Sequence, residues 1–293
     1  MEKTKTALRL PEHMDGAGFY SRITKMYDLV EENHSLGKLE MDWDLDKFLC
    51  EDKTIELSDL NFTEKGNMTA TKYVNPNLIE QYNKITNKFF VPTDEAEKNF
   101  EYLVDKYNIN LEKTIFCYFR SQDLYCERPS PLVPPWVYIE TIDKLIESQD
   151  VDTVLLQSDG IMFYEHLTTH FKSKNIKFIL LFDIDLPSYE VSWEKWHEKD
   201  NHFGGCYESP QMHFDLDSKQ TKLWFATHLI ASRTKFFVSN ISNFQVVTQL
   251  RRENKNVVLI NLNLEIEIIS DSVESLNRKA RWETFNSDRI IEL

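Results

Sequence analysis

The sequence predicts an α/β protein whose C-terminal half is a doubly wound parallel sheet, preceded by a smaller α/β unit. Three observations carry that expectation. After Asn108, short apolar runs alternate with helical patterns of about ten or more residues, which implies βαβ units and therefore parallel strands. The clearest run, Ile115, Phe116, Cys117, Tyr118 and Phe119, is apolar throughout and stops abruptly at Arg120. A chain of 293 residues, 41% of them hydrophobic and 13% aromatic, can bury a real core and is not disordered.

In chain order, Pro11 and the turn MDGAGFY lead into a helix over Tyr20–Leu36, where Ile23, Met26, Tyr27 and Val30 recur near helical spacing. A short strand follows at Leu39–Trp43, then a β-like stretch at Thr54–Leu60. Helices are expected at Asn77–Ile85 and Thr93–Tyr107, the second carrying Asp94 and Glu95 in its first turn, where the helix dipole favours them. The strand order of this half is not legible.

From Thr114 the expected order is strand Thr114–Phe119, helix Val137–Gln149, strand Thr153–Gln157, helix Ile161–Ser173 and strand Lys177–Phe182. A long loop separates these from helix Gln220–Ser232, strand Lys235–Ser239, helix Asn243–Glu253 and strand Asn256–Ile260. The segment RPSPLVPPW is read as loop, because proline suits neither a helix interior nor a central strand. The charged tail Ser270–Leu293 is read as helical at first. The division implied is an N-terminal α/β domain over 1–110 and a Rossmann-like domain over 111–293.

The 48 acidic against 34 basic residues leave a net charge of −14, which disfavours nucleic acid as a partner but not a local pocket for a small phosphorylated ligand. No uncharged apolar run is long enough for a bilayer, and MEKTKTALRLPEH lacks the apolar core of a signal peptide. The four cysteines, Cys50, Cys117, Cys126 and Cys206, are irregularly spaced, with Cys117 inside a core strand. Reduced thiols and a cytoplasmic location, without a membrane span, are the expectation.

Four places stand where open α/β sheets bind ligands, outside the carboxyl ends of strands or at a helix N-terminus. Arg120 directly follows the first C-terminal strand, and its planar fork suits a phosphate. Read locally, it is better explained as a strand-end arginine pairing with Asp123, and the other motifs must decide. Asp15-Gly16-Ala17-Gly18-Phe19 precedes the first helix, where glycines let backbone N–H groups approach an anion or simply make a turn. Gln157-Ser158-Asp159-Gly160 ends the strand TVLLQ, with a hydroxyl and a carboxylate able to hold a nucleoside or sugar hydroxyl, or to cap the next helix. Ser239-Asn240-Ile241-Ser242-Asn243 ends another strand and opens a helix, as a phosphate cradle or an ordinary cap.

In this order, these elements resemble the fucosyltransferase superfamily, which includes the α-1,2-, α-1,6- and protein O-fucosyltransferases. The family's strand ends in H-x-R-R-x-D, and Tyr118-Phe119-Arg120-Ser121-Gln122-Asp123 occupies that place. The first arginine and the aspartate are kept; Tyr118 replaces the histidine and Ser121 the second arginine. The family's T-D-D is matched loosely by Ser158-Asp159-Gly160, and its Ser/Asn-rich turn by HLIASRTKFFVSNISNF. GAGFYSRITKMYDLVEENHSLGKLEMDW is similar to the family's glycine turn, helix and strand.

The resemblance implies two Rossmann-like domains in a GT-B-like architecture and a metal-independent, inverting glycosyltransferase. Its donor would be a GDP-sugar, GDP-fucose foremost, and its acceptor a hydroxyl of a glycan or related molecule. Arg120 would bind the pyrophosphate and stabilise the leaving group. Ser239, Ser242 and Asn243 would complete the cradle, with Gly16, Gly18 and Phe19 opposite and Tyr118, Asp123 and Asp159 beside the donor. Glu127 is the nearest candidate for the base that deprotonates the acceptor. The substitutions at Tyr118 and Ser121 leave the sugar open.

Two other readings remain. Asp183 and Asp185 match the D-x-D with which metal-dependent glycosyltransferases hold Mg²⁺ or Mn²⁺. The loss of the histidine and second arginine also fits a relative that binds glycans or a protein without turnover. His166 and His170 lie four apart on a helix but lack the glutamate of H-E-x-x-H, and His197, His202 and Cys206 have no patterned spacing. Trp193, Trp196, His202 and Phe203 form an aromatic loop that could stack on a sugar or anchor itself in the protein.

Overall fold

The computed structural model describes residues 6–9, 19–33, 38–42, 48–49, 54–56, 82–87, 90–119, 135–158, 161–174, 176–181, 219–240, 242–254, 256–261, 281–286 and 289–292. The chain divides into two compact units. One comprises Met1–Lys106, Pro210–Arg233 and Asn243–Glu253; the other comprises Tyr107–Ser209, Thr234–Ser242 and Asn254–Leu293.

In the first unit, β1 (Thr6–Arg9) runs parallel to β2 (Lys38–Asp42), which pairs antiparallel with β3 (Thr54–Glu56). Strand β1 was not expected, since the opening segment reads as loop; the Thr-Ala-Leu-Arg alternation is too short to signal a strand until β2 supplies its ladder. Helix α1 (Phe19–Glu32) buries Tyr20, Ile23, Met26, Tyr27 and Val30 along one face. Helix α2 (Asp94–Tyr107) starts on Thr93, whose Oγ1 accepts from the Ala96 N–H at 3.3 Å. Asp94, Glu95 and Glu97 occupy its first turn, while Ala96, Phe100 and Leu103 face inward. Residues 82–87 are also helical, within the span expected for Asn77–Ile85 and two residues beyond it.

Two helices from late in the sequence belong to this unit: α5 (Lys219–Arg233) and α6 (Asn243–Arg251). Helix α6 packs against both α1 and α5, and every residue from Phe244 to Arg251 is buried. Arg233 of α5 makes a bidentate pair with Glu97 of α2 at 2.7 and 2.5 Å and lies over the Phe100 ring.

The second unit holds the doubly wound sheet. Its strands are β4 (Thr114–Phe119), β5 (Thr153–Ser158), β6 (Lys177–Leu180), β7 (Phe236–Asn240), β8 (Val257–Asn261), β9 (Arg281–Asn286) and β10 (Arg289–Glu292). They lie in the order β10-β9-β8-β7-β4-β5-β6. The five strands β8, β7, β4, β5 and β6 are parallel, and β9 and β10 continue the sheet antiparallel. This is a Rossmann-like α/β sheet, as expected.

Helices α3 (Pro135–Ser148) and α4 (Ile161–Phe171) cover one face. There Ile115, Cys117 and Phe119 of β4, Val154 and Leu156 of β5, and Val238 of β7 share a core with Val137, Ile142, Phe163 and Leu167. Cys117 is a free, buried thiol, and burial pushes its pKa well up.

One expectation needs correction. Pro135 is not loop but the first residue of α3, where its missing N–H has no intrahelical partner to lose and its fixed φ suits the helix. The helical start expected for the tail from Ser270 lies outside the described residues, and the tail ends in the β9–β10 hairpin, with Asn286 opposite Arg289. Trp282, Thr284, Phe285, Ile290 and Ile291 are residues that favour strands, and Ser287-Asp288 separates the two runs.

Candidate functional site at the carboxyl ends of the parallel strands

Strand β4 is the point at which the sheet reverses its winding. From β4 the chain proceeds outward to β5 and β6, then returns to β7 on the other side of β4 and continues to β8. In open α/β sheets such a reversal is where ligands bind, outside the carboxyl ends of the two strands, here β4 and β7.

The β4 end is held rigidly. The Phe119 ring stacks on Phe163 at 4.0 Å and 11°, and meets Tyr138 edge-on at 5.5 Å. Tyr138 also packs edge-on against Phe163 at 4.9 Å, closing an aromatic trio. The Tyr138 hydroxyl donates to the Tyr118 carbonyl at 3.3 Å. On β5, the Ser158 N–H donates to the Tyr164 hydroxyl at 2.9 Å. Tyrosines from α3 and α4 thus satisfy backbone groups where the regular ladder is ending, which buried polar groups require.

The opposite face carries a different chemistry at the same level. Tyr118 pairs with Ser239 of β7 on one side and with Gln157 of β5 on the other. Directly opposite residues share a face, so Ser239, Tyr118 and Gln157 form one polar row across three adjacent strands. All three are buried, with 0%, 3% and 2% exposure respectively. The next row inward on that face is apolar, formed by Phe237, Phe116 and Leu155. Ser239 Oγ donates to the Asn240 carbonyl at 2.8 Å. Among the described residues, Gln157 Oε1 has no hydrogen-bond partner.

Beyond β7, the chain passes through Ser242 and enters α6 at Asn243. Ser242 is buried and Asn243 half-buried. Of the residues singled out from sequence, the structure brings Tyr118 and Ser239 into register and leaves Ser242 and Asn243 at the strand-to-helix turn. Phe19 is the first residue of α1. Arg120, Asp123, Glu127, Asp159, Gly16, Gly18, Asp183 and Asp185 lie outside the described residues, as do Trp193, Trp196, His197, His202, Phe203 and Cys206. Arg120 nevertheless follows Phe119 directly in the chain.

Neither Tyr138 nor Tyr164 was recognisable as a support, because their roles depend on which strand end each helix covers. His170 Nε2 lies 2.9 Å from Asp143 Oδ2, and Lys174 Nζ lies 2.5 Å from the other carboxylate oxygen. Among the described residues, no group of three or more His, Cys, Asp or Glu is arranged to hold a metal. No helix among them is long and apolar enough to cross a membrane.

A second polar cluster, in the first unit, was not signalled by the sequence. His228 of α5 is fully buried; its Nδ1 lies 2.9 Å from Thr248 Oγ1, and its Nε2 accepts from Arg251 Nε at 3.0 Å. Arg251 Nη2 donates to the Phe90 carbonyl at 2.7 Å. With Nε2 accepting, the ring proton is assigned to Nδ1, facing Thr248. Burial, then the nearby Arg251 and Arg233 charges, hold the imidazole pKa well below its usual value, so it is neutral. Burial lowers Arg251 to about 10 and Arg252 to about 9, and both stay charged at neutral pH. Arg252 donates to the Ala231 carbonyl.

Fold and site together define a Rossmann-like α/β protein with a buried polar row at the switch point of its sheet. No protein-family model matches the sequence, and no characterised protein matches it by sequence. Among solved structures, an Arabidopsis thaliana FUT1 mutant in complex with GDP is similar at 12% identity and a TM-score of 0.47, over 88% of this chain and 71% of that one. That is a distant likeness of fold.

Proposed function

We propose that this chain is a glycosyltransferase of GT-B-like, two-domain architecture that takes a GDP-sugar, GDP-fucose foremost, and transfers the sugar with inversion to a hydroxyl of a glycan or related acceptor. The observation that carries the reading is the switch point itself. The rigid end of β4, immediately before Arg120, adjoins the end of β7, whose turn through Ser242 leads into a helix N-terminus. A guanidinium, together with hydroxyl and N–H donors, is chemistry that can neutralise a diphosphate without a metal ion.

In this reading Arg120 binds the pyrophosphate and stabilises charge as the leaving group departs. Ser239, Ser242 and Asn243 extend the cradle, and Gly16, Gly18 and Phe19 are further candidates for binding the donor. Tyr118, Asp123 and Asp159 line the donor, while Glu127 takes the acceptor proton. Residues 1–110 form the acceptor side and 111–293 the nucleotide-sugar side.

The test is thermal. In the presence of a chelator, GDP at about a hundred times its Kd should raise Tm by roughly 5 °C, and Arg120→Ala should abolish the shift. Wild-type protein that is unmoved by GDP, UDP and ADP would overturn the proposal.

A further inference from the structure

We propose that Gln157 is a ligand-contacting residue whose side-chain carbonyl accepts a hydrogen bond from a neutral hydroxyl or N–H group of the bound molecule. The inference rests on the nucleotide-sugar reading above and names which part of that ligand meets which strand.

The first ground is an unmet acceptor. Gln157 is 2% exposed and, among the described residues, its Oε1 has no hydrogen-bond partner. Leaving a buried acceptor unmade is costly, so native structures rarely keep one without a function. Asp143 Oδ1 also lacks a hydrogen bond, but Lys174 Nζ stands 2.5 Å away as its counter-charge. Gln157 has no such compensation.

The second ground is position. Gln157 is the penultimate residue of β5 and lies in the row with Tyr118 and Ser239, on the strands that meet at the switch point. Phe116, Leu155 and Phe237 form the row beneath it. In such a low-dielectric setting, one hydrogen bond discriminates strongly between a ligand that can donate and one that cannot.

The third ground is chemical. A carbonyl oxygen repels phosphate and accepts only from N–H or O–H. The anionic part of the ligand therefore belongs towards β7 and the helix N-terminus that follows it, while the neutral part belongs at β5. Strands β7 and β5 are separated by β4, two strand spacings or roughly 10 Å in all. That span suits a molecule with a diphosphate at one end and a nucleoside or sugar donor group at the other.

The experiment is calorimetric titration of wild type and Gln157→Met with GDP and with GDP-fucose, alongside the Tm of each ligand-free protein. Methionine keeps the length and removes the acceptor. Affinity should fall about 10-fold, the span of one hydrogen bond, while the ligand-free Tm holds or rises. A loss with both ligands assigns the donor group to the nucleoside; a loss with GDP-fucose alone assigns it to the sugar.

Unchanged affinity for both ligands in the variant would overturn this inference while leaving the nucleotide site standing. So would a lowered ligand-free Tm with unchanged affinity, which marks a structural residue. Wild type binding neither ligand would remove the parent reading and this one with it. Should Gln157→Met fail to fold, the wild-type side-chain amide resonance of Gln157 serves instead. It should move on adding one of the two ligands, and no movement with either would refute the assignment.

Discussion

The two buried polar clusters of this chain differ in closure. Around His228, both ring nitrogens have partners in Thr248 and Arg251, and Arg251 reaches on to the Phe90 carbonyl. In the row Ser239–Tyr118–Gln157, the Gln157 carbonyl has no partner among the described residues. A satisfied network rigidifies the elements it joins, whereas an unsatisfied one weakens the fold. The His228 cluster is therefore architecture for α5, α6 and the segment at Phe90. The row near the sheet's carboxyl edge is buried too, yet among the described residues the Gln157 carbonyl is left without a partner.

The largest expected effect lies beneath the open row. Phe119→Ala removes a ring stacked on Phe163 and packed against Tyr138, which should cost about 4 kcal/mol in urea unfolding. It should also eliminate GDP-induced stabilisation, because Arg120 follows directly. A variant that lost the stability but kept the nucleotide shift would break the link between the aromatic trio and the site.

Next comes Arg251→Ala, which opens a cavity and strands two acceptors, His228 Nε2 and the Phe90 carbonyl. A loss of about 3 kcal/mol is expected, with GDP affinity unchanged in the folded fraction. Weaker GDP binding at full stability would reverse the assignment of this cluster as purely structural.

The smallest effect is on pH dependence. His228 has a folded pKa well below 6.5, so between that value and 6.5 the unfolded chain binds a proton that the native state excludes. Stability from the neutral ring is complete above pH 6.5 and declines as pH falls, by at most about 1.4 kcal/mol per pH unit. His228→Gln should flatten the profile between pH 7 and 5. Parallel profiles for variant and wild type would show that His228 does not titrate against folding.

Much of the sheet was legible because its strands are short apolar runs between helical patterns, and the boundaries agree within a residue or two at most ends. Strand β4 matches residue for residue. The misses have local causes. Strand β1 is too short to show without its partner, Pro135 belongs to the one helical turn that tolerates proline, and the β9–β10 hairpin was masked by the tail's charge. At the site, the sequence points to the end of β5 as a ligand position and to Asp159, which lies outside the described residues. The sequence marks a polar residue at a strand end but not whether its hydrogen bonds are met.

By itself, the sequence determined the α/β class, the parallel strands and the place of Arg120 just past one of them, because period and composition are local properties of the chain. Only the tertiary structure decided that β7 returns beside β4, making that strand the switch point. It alone brought Ser239, Tyr118 and Gln157, far apart in sequence, into one register row. It likewise drew His228 and Arg251 of α5 and α6 into the same unit as α1. Strand order and hydrogen-bond closure are relations between distant segments, set by which faces can be buried together.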